Sequence, residues 1–265
     1  MNHASFLLIF TPLLLGATPV SDNSARGSRT ESDRTGDAKE MSSAQVWENA
    51  NRLYEQGKYS QTIPLYETLL KNDEESPYIH YNLGNAYFKN GELGPAILHF
   101  HKAWEIRPRD QDIRFNLELA LENAGETISP SGIPAPAYIA FHWLNLNELR
   151  TVFLTFYWIF FLLLAFRLLT GKNRFLQTPL LGFALIAALS GFWWGLRLHE
   201  RRIAWGVVRT PSAEIRNGPT ESATVGFTLP AGRQVWILSE KEDYWEIKTY
   251  KEGLTGWVQK DRIGS

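Results

Sequence analysis

The pattern of apolar and polar positions divides the chain into regions of different structure. Between residues 44 and 124, small and aromatic residues recur at helical spacing, whereas most of 151–196 is continuously apolar. After residue 205, apolar and polar residues alternate with a period of two, which is typical of strands that bury one face. The pattern therefore predicts packed helices, then two long apolar helices, then an all-β domain.

The helical region contains a repeat of 34 residues, the distance from Ala50 to Gly84. Small residues stand where two helices would touch, and aromatic residues stand between them. The first unit has Ala50, Tyr59, Thr62, Tyr66 and Leu69, and the second has Gly84, Leu93, Ala96, Phe100 and Ala103. This period and alternation resemble the tetratricopeptide (TPR) family, whose repeats are helical hairpins that stack on one another.

A third, partial unit follows in the sequence DIRFNLELALENA, with Leu117, Ala120 and Leu121 in the repeat frame. We expect it to be a capping helix, because the last repeat of a stack otherwise leaves an apolar face without a neighbour. The array is predicted to span residues 43–125. Pro64 lies deeper in its helix than the pattern allows, and it predicts a kink or a late helix start there.

The resemblance to TPR proteins implies a concave groove in which asparagines bind the backbone of an extended partner and aromatic side chains flank it. The matching positions are Trp47, Asn51, Tyr54, Tyr78, Tyr81, Asn82, Asn85, Phe88, Phe115 and Asn116. The lysines and arginines that grip a C-terminal carboxylate in some relatives are replaced by Trp47, Asp112 and Asn116, so such a clamp is not expected. The alternative is that these aromatics pack against the chain's own linker or capping helix.

The two apolar segments are predicted to be transmembrane helices at 149–170 and 175–197, because about 20 apolar residues cross the hydrocarbon core of a bilayer. The short link between them places both outer ends on the same side of the membrane. Ala187, Gly191 and Gly195 form a stripe of small residues that favours close helix packing, either on the first span or on a helix of a partner protein.

Residues 1–20 are interpreted as a secretory signal peptide, since their apolar core from Phe6 to Leu15 is too short to span a bilayer comfortably. An uncleaved anchor is the alternative, because no lysine or arginine precedes that core. Residues 21–42 mix both charge signs with small polar residues and are predicted to be a disordered linker. Residues 126–148 are predicted to be a second linker.

Residues 205–265 resemble a bacterial SH3 domain, and the resemblance covers the whole segment. The residues that carry it are Ala213, Ile215, Arg216, Gly218, Pro219, Gly232, Val235, Trp245, Ile247, Gly256, Trp257, Val258 and Ile263. The resemblance implies a small barrel and, in many bacterial relatives, a link to cell-wall peptides. The candidate ligand surface is Trp236, Tyr244, Trp245 and Trp257, although Trp245 and Trp257 are also typical core residues.

Composition and motifs exclude several chemistries. The chain has no cysteine, which excludes disulfides and thiolate catalysis, and its net charge of −1 gives no electrostatic case for binding nucleic acid. His99 and His101 are two residues apart on a predicted helix, so they face different directions and cannot share a metal. We find no catalytic, metal or cofactor motif, and we expect the protein not to be an enzyme.

The order of segments resembles one family as a whole: signal, repeats, paired spans and SH3 barrel, with DIRFNLELA closing the array. This family is the Bat (Bacteroides aerotolerance) proteins, and the resemblance is specifically to the BatE-like member. It implies a multi-pass scaffold of the bacterial inner membrane with periplasmic repeats and barrel, acting in aerotolerance or stress. The implied partners are von Willebrand A-domain membrane proteins and a MoxR-type ATPase. The alternative is an envelope protein whose barrel binds peptidoglycan.

Overall fold

The computed structural model describes residues 42–73, 76–171 and 174–265. The predicted signal peptide (1–20) and all but the last residue of the predicted spacer (21–42) lie outside these residues. The described chain combines a helical array, two long apolar helices and a C-terminal antiparallel sheet, which confirms the predicted fold class.

Five helices form the array, and their bounds are α1 Ser43–Glu55, α2 Tyr59–Leu70, α3 Pro77–Lys89, α4 Leu93–Ile106 and α5 Gln111–Asn123. The Ser42 side chain accepts from the Gln45 amide, so a capping box starts α1. Gly57 and Gly91 follow α1 and α3 with φ of 75° and 84°. Only glycine adopts these angles without strain, so both residues let the chain turn into the next helix.

The residues of the 34-residue repeat pack as the pattern predicts. Thr62 and Ala96 are fully buried, and Tyr66 and Phe100 are 1% exposed at the matching positions of α2 and α4. A Cβ on Gly84 would lie 2.7 Å from the Phe100 ring, so only glycine fits there. Helix α2 begins at Tyr59 and runs through Pro64, so the predicted late start is wrong.

The segment after α5, predicted as a linker, joins the same hydrophobic core. It carries the short helix α6, Ala135–Phe141, and buries Ile128 and Tyr138 among residues of the array. Trp104 of α4 is fully buried and its ring lies 5.0 Å from the ring of His142, just after α6. This segment therefore lies against the array rather than apart from it.

Two 25-residue helices follow, α7 Leu146–Thr170 and α8 Gln177–Arg201, with a short 3₁₀ turn at Arg174–Leu176 before α8. Asn145 and Glu148 form a capping box that starts α7. Both helices are long and apolar enough to cross a membrane, and half of their large apolar side chains are exposed. They pack on each other through stacked Phe153 and Trp194, whose ring centroids are 5.7 Å apart.

The small-residue stripe of α8 lies partly in this contact. Ala187 is buried, and a Cβ on Gly191 would lie 2.9 Å from the Phe153 ring of α7. A Cβ on Gly195 would meet no described atom within 4 Å. Gly191 therefore serves the packing of the two helices on each other, whereas Gly195 lies on open surface.

The C-terminal region is one antiparallel sheet of seven strands in the order β3-β2-β6-β5-β4-β1-β7. The strands are β1 Trp205–Val208, β2 Ser212–Arg216, β3 Val225–Pro230, β4 Gln234–Lys241, β5 Tyr244–Thr249, β6 Thr255–Gln259 and β7 Ile263–Gly264. Alternate residues such as Ile215, Val235, Ile247 and Val258 are fully buried and form the core of this barrel. The period of two seen in the sequence is thus the inward face of the sheet.

The barrel packs directly on α4 of the array. Val207 of β1 belongs to the hydrophobic core of the helices, and a Cβ on Gly94 of α4 would collide with the Val208 carbonyl oxygen. Gly232, with φ of 87°, approaches so closely that a Cβ would lie 2.7 Å from the Ala124 Cβ. The array and the barrel therefore share a buried interface.

Polar contacts reinforce this interface. Arg233 Nε of the barrel lies 2.8 Å from Glu126 Oε1, and that carboxylate is almost fully buried. Burial raises the pKa of Glu126 despite the nearby Arg233 guanidinium. The Gln234 side-chain amide donates to the Thr127 carbonyl at 3.0 Å, and Lys251 donates to the Gly125 carbonyl.

Candidate functional site

The predicted groove residues lie on α1, α3 and α5, the first helices of the two repeats and the capping helix. None of the ten is buried, and Tyr78 and Phe115 are 58% and 64% exposed. Such exposure of aromatic side chains is unusual for residues that only fill a core. The structure therefore leaves these side chains accessible, and their role as a binding groove stays a prediction.

Several groove residues also hold the array together. The Tyr66 hydroxyl donates to Asn51 Oδ1 at 2.5 Å, and burial raises the pKa of Tyr66 to about 12. Asn82 contacts the same hydroxyl, and Trp47 packs edge-on against the Tyr66 ring. On the neighbouring helices, the Asn116 amide donates to the Tyr81 hydroxyl at 2.7 Å. These asparagines keep only part of their hydrogen-bonding capacity for a partner.

Other groove residues are less engaged. Within the described residues, no hydrogen bond involves the side-chain amide of half-buried Asn85, and the Phe115 ring is exposed. Tyr54 contacts the Tyr59 ring edge-on, and half-buried Phe88 packs against the core. Arg107 donates to the Tyr78 hydroxyl and lies over its ring. Asn85 is thus the amide best placed to bind an added backbone.

The four aromatic residues predicted on the barrel do not form one surface. Tyr244 is buried, and Trp245 packs against the barrel core while its Nε1 faces Glu240. Trp257 is half-buried and pairs across the strands with Arg216 and Glu246. Trp236 is half-buried and stacks on Tyr250 with centroids 4.3 Å apart. Alternation along the strands places Trp245 and Trp257 on opposite faces of the sheet.

A cavity of about 1050 Å³ lies between the array, the ends of α7 and α8, and the barrel. We call it the junction cavity. None of the ten predicted groove residues lines it, and of the four aromatic residues predicted as the barrel's ligand surface, Trp236 alone does. Its walls include His80, His99, His101, Tyr138, His142, Arg197, Glu200, Trp205, Trp236 and Tyr250.

A charged cluster forms one wall of the junction cavity. Glu200 Oε2 lies 2.8 Å from Arg197 Nη1 and 3.1 Å from His142 Nε2, which links the end of α8 to the residue after α6. Arg197 and His142 are both buried, so the ion pair between Arg197 and Glu200 is largely shielded from water. The geometry fixes the base of the apolar helix pair against the array.

Histidines line another part of the same cavity. The Nδ1 atoms of His80 and His99 are 3.0 Å apart, so one ring donates to the other. Burial, helped by neighbouring His80, lowers the pKa of His99 to about 3. Burial also lowers the pKa of His101, although nearby Glu105 opposes it. Both rings are therefore neutral near pH 7.

Sequence reasoning missed the junction cavity because its residues come from segments that are distant in the chain. His142 and Glu200, for example, become neighbours only when α8 folds back on α7. One signal was present: α4 contains four polar residues, His99, His101, Lys102 and Glu105, and apolar residues occupy most of the helix. A helix with so little polar surface needs cover on more than one side, so the sequence of α4 indicated a second partner.

Within the parts of the chain that the structure describes, no group of three or more histidines, aspartates or glutamates could hold a metal ion. The two histidines of α4 contact different partners: His99 contacts His80, and His101 contacts Trp205.

Two parts of the chain match known protein families. Residues 50–91 match the family described as TPR repeat, and residues 211–263 match the family described as bacterial SH3 domain. The first match covers α2, α3 and the second half of α1, and the second covers β2 to the start of β7. The chain therefore carries a TPR-type array and a bacterial SH3-type barrel. No curated protein matches the chain in sequence.

Two solved structures resemble part of the chain at low identity. The type III secretion chaperone SycD of Yersinia enterocolitica, solved with a peptide of the translocator YopD, is 14% identical with a TM-score of 0.30. That comparison covers 56% of this chain and 92% of SycD. Yeast Tom70 is 18% identical with a TM-score of 0.30, over 62% of this chain and 26% of Tom70.

Proposed function

We propose that this protein is a membrane-anchored scaffold whose repeat groove binds an extended segment of a partner protein. The observation that carries the proposal is the exposure of Tyr78 on α3 and Phe115 on α5, together with Asn85 on α3, whose amide is free of hydrogen bonds within the described residues. An extended peptide offers backbone donors and acceptors that such amides pair with, and exposed aromatics flank its side chains. The TPR match at residues 50–91 supports a role in protein–protein interaction.

The test of the groove compares Asn85, whose side chain forms no hydrogen bond within the described residues, with Asn51, which accepts one from Tyr66. Asn85→Ala removes an amide that bonds no described group, so we expect weaker partner capture with unchanged stability. Asn51→Ala also removes the acceptor of the buried Tyr66 hydroxyl, so it should lower both capture and stability. The measurement is capture of membrane partners by the tagged full chain, with a melting curve for each variant. Unchanged capture by Asn85→Ala would move the binding site elsewhere.

Membrane anchoring is proposed from α7 and α8, whose length, composition and exposed apolar surfaces suit a bilayer. The proposed topology places the link near residue 171 in the cytoplasm and both folded regions in the periplasm of a bacterium. Reporter fusions after Gly171 and Ser265 test this arrangement. A cytoplasmic signal from the fusion after Ser265 would contradict it.

The order of segments supports a finer assignment to a Bat-type aerotolerance or stress complex. In that setting the partners are von Willebrand A-domain membrane proteins and a MoxR-type ATPase. Co-purification of the full chain from membranes with proteins of these two classes, and its loss in Asn85→Ala, is the expected outcome. Recovery of the same proteins with Asn85→Ala would mean that the complex does not bind through the groove.

A second candidate function is peptidoglycan binding by the barrel, favoured by the bacterial SH3 match at residues 211–263. Because Val207 of the barrel is buried in the hydrophobic core of the helices, the full chain is the proper reagent and an isolated barrel is not. Trp257 lies half-buried on the outer face of the sheet, so Trp257→Ala should reduce sedimentation with purified cell wall if the barrel binds it. A full chain that stays in the supernatant would leave the scaffold as the only function.

A further inference from the structure

The junction cavity contains buried polar groups that lack partners. Arg197 Nε and His101 Nδ1 form no hydrogen bond within the described residues, although the side chains are only 7% and 6% exposed. His101 Nδ1 lies 3.6 Å from Glu105 Oε1, which is beyond hydrogen-bond distance. Unpaired buried donors are costly, so a site that keeps them suits a ligand with acceptor atoms.

Two of the three acids that line the cavity are already engaged, and the third, Glu105, is exposed. Glu67 accepts from the Tyr87 hydroxyl at 2.5 Å, and Glu200 is paired with Arg197 and His142. Histidines aside, the lysine, arginine and glutamate side chains of the lining leave one net positive charge. These side chains are Lys71, Lys102, Arg197 and Arg201 on one hand, and Glu67, Glu105 and Glu200 on the other. The cavity therefore complements a ligand with a single negative charge.

The position of the cavity narrows the choice of ligand. Asn145, Leu146 and Asn147 at the start of α7 and Arg201 at the end of α8 line it, so it lies at the base of the apolar helix pair. With α7 and α8 inserted as proposed above, this base is at the level of the lipid headgroups. Trp205 and Trp236 of the barrel form an aromatic wall there, as is typical of membrane interfaces.

We propose that the junction cavity binds the phosphodiester of a phospholipid headgroup. Arg197 and Lys102 supply charged donors to the phosphate oxygens, His101 supplies a neutral donor, and the aromatic wall contacts the headgroup carbons. This inference rests on the membrane insertion proposed above. It gives the cavity a role that is separate from partner binding, since no groove residue lines it.

The test is titration calorimetry on the full chain, purified in a maltoside detergent and freed of lipid. Three ligands are compared: dihexanoylphosphatidylglycerol, the deacylated headgroup glycerophosphoglycerol, and a dihexanoyl glycolipid without phosphate. We expect saturable binding of one phosphatidylglycerol per chain, binding of the deacylated headgroup that is weaker by about tenfold or more, and no binding of the glycolipid. Equal binding of the glycolipid would overturn the proposal.

Substitutions of cavity residues test whether phosphatidylglycerol binds in the junction cavity. Arg197→Gln removes the buried guanidinium and should weaken phosphatidylglycerol binding by about tenfold or more. Because this change also breaks the Glu200 pair, Lys102→Gln at a half-exposed position is the second variant, with exposed Lys58→Gln as the matched control. Wild-type affinity in both cavity variants would place the lipid elsewhere and overturn the proposal.

Further outcomes distinguish a lipid phosphodiester from a soluble one. They also distinguish failure of the membrane insertion from failure of the cavity proposal. If glycerophosphoglycerol binds as tightly as the lipid, the ligand is a soluble phosphodiester and the lipid assignment is wrong. Release of the chain from membranes by alkaline carbonate would contradict membrane insertion, whatever the calorimetry gives. A chain that resists extraction but binds no phosphodiester would contradict the cavity proposal alone.

Discussion

The second helices of the two repeats, α2 and α4, occupy equivalent places but have different surroundings. Their inward positions agree, since Thr62 and Ala96 are both fully buried. Their outward positions differ: Ser60, Gln61, Pro64 and Glu67 are exposed on α2, whereas the matching Gly94, Pro95, Leu98 and His101 are buried on α4. The shared inward positions thus reflect how the helices of the repeats stack. The buried outward positions of α4 reflect a second interface, with the barrel and the segment around α6.

The largest expected effect comes from Trp104, which takes the place of Leu70 in the second repeat. Trp104 is fully buried between the array and the α6 segment, so Trp104→Ala should lower the free energy of unfolding by ~3–5 kcal/mol. Leu70 is only half-buried, and Leu70→Ala should cost clearly less. Thermal unfolding of the detergent-solubilised full chain measures both. Equal losses would mean that the outer face of α4 is no more buried than that of α2.

The next test addresses the contact between α4 and the barrel directly. A Cβ at position 94 meets the backbone of Val208 and Arg209, which cannot move aside as a flexible side chain would. Gly94→Ala should therefore destabilise the chain by ~1–3 kcal/mol, through overpacking. Ser60→Ala, the matched change on exposed α2, should be close to neutral in the same unfolding assay. A neutral Gly94→Ala would show that the barrel is not docked there.

A smaller effect distinguishes the histidines of α4 from the matching Leu65 and Glu67 of α2. His99 has a folded-state pKa of about 3, so the unfolded chain binds its proton first as the pH falls below about 6.5. Stability contributed by neutral His99 is present above pH 6.5 and is lost on acidification, by at most ~1.4 kcal/mol for each pH unit down to about pH 3.

The measurement is the difference in unfolding free energy between wild type and His99→Gln from pH 7 to pH 5. Carboxylates common to both chains cancel in this difference, and exposed His199→Gln is the control. We expect the wild type to lose more stability than His99→Gln on acidification. Parallel curves for the two chains would mean that His99 is solvated.

Much of the fold follows from local patterns in the sequence. Gly84 and Phe100 predict their own contact because the repeat period fixes both, and the alternation in β5 predicts the inward Ile247. The junction cavity could not be predicted in this way. Arg197, His101 and Trp236 lie on three separate elements, and only the docking of the barrel brings them together. The groove could be predicted in part. The TPR pattern predicts which residues belong to it, whereas the hydrogen bond from Tyr66 to Asn51 is seen only in the structure.

The proposed scaffold function requires that the groove be the surface that holds a partner at the membrane. A photoreactive residue placed at Phe115 of the groove, in the full chain in intact cells, tests this directly against the same residue at exposed Pro64 on α2. We predict a discrete crosslinked partner from position 115 that fades when Asn85→Ala is added, and none from position 64. A partner crosslinked from position 64 alone, or one from position 115 that is indifferent to Asn85→Ala, would contradict the account.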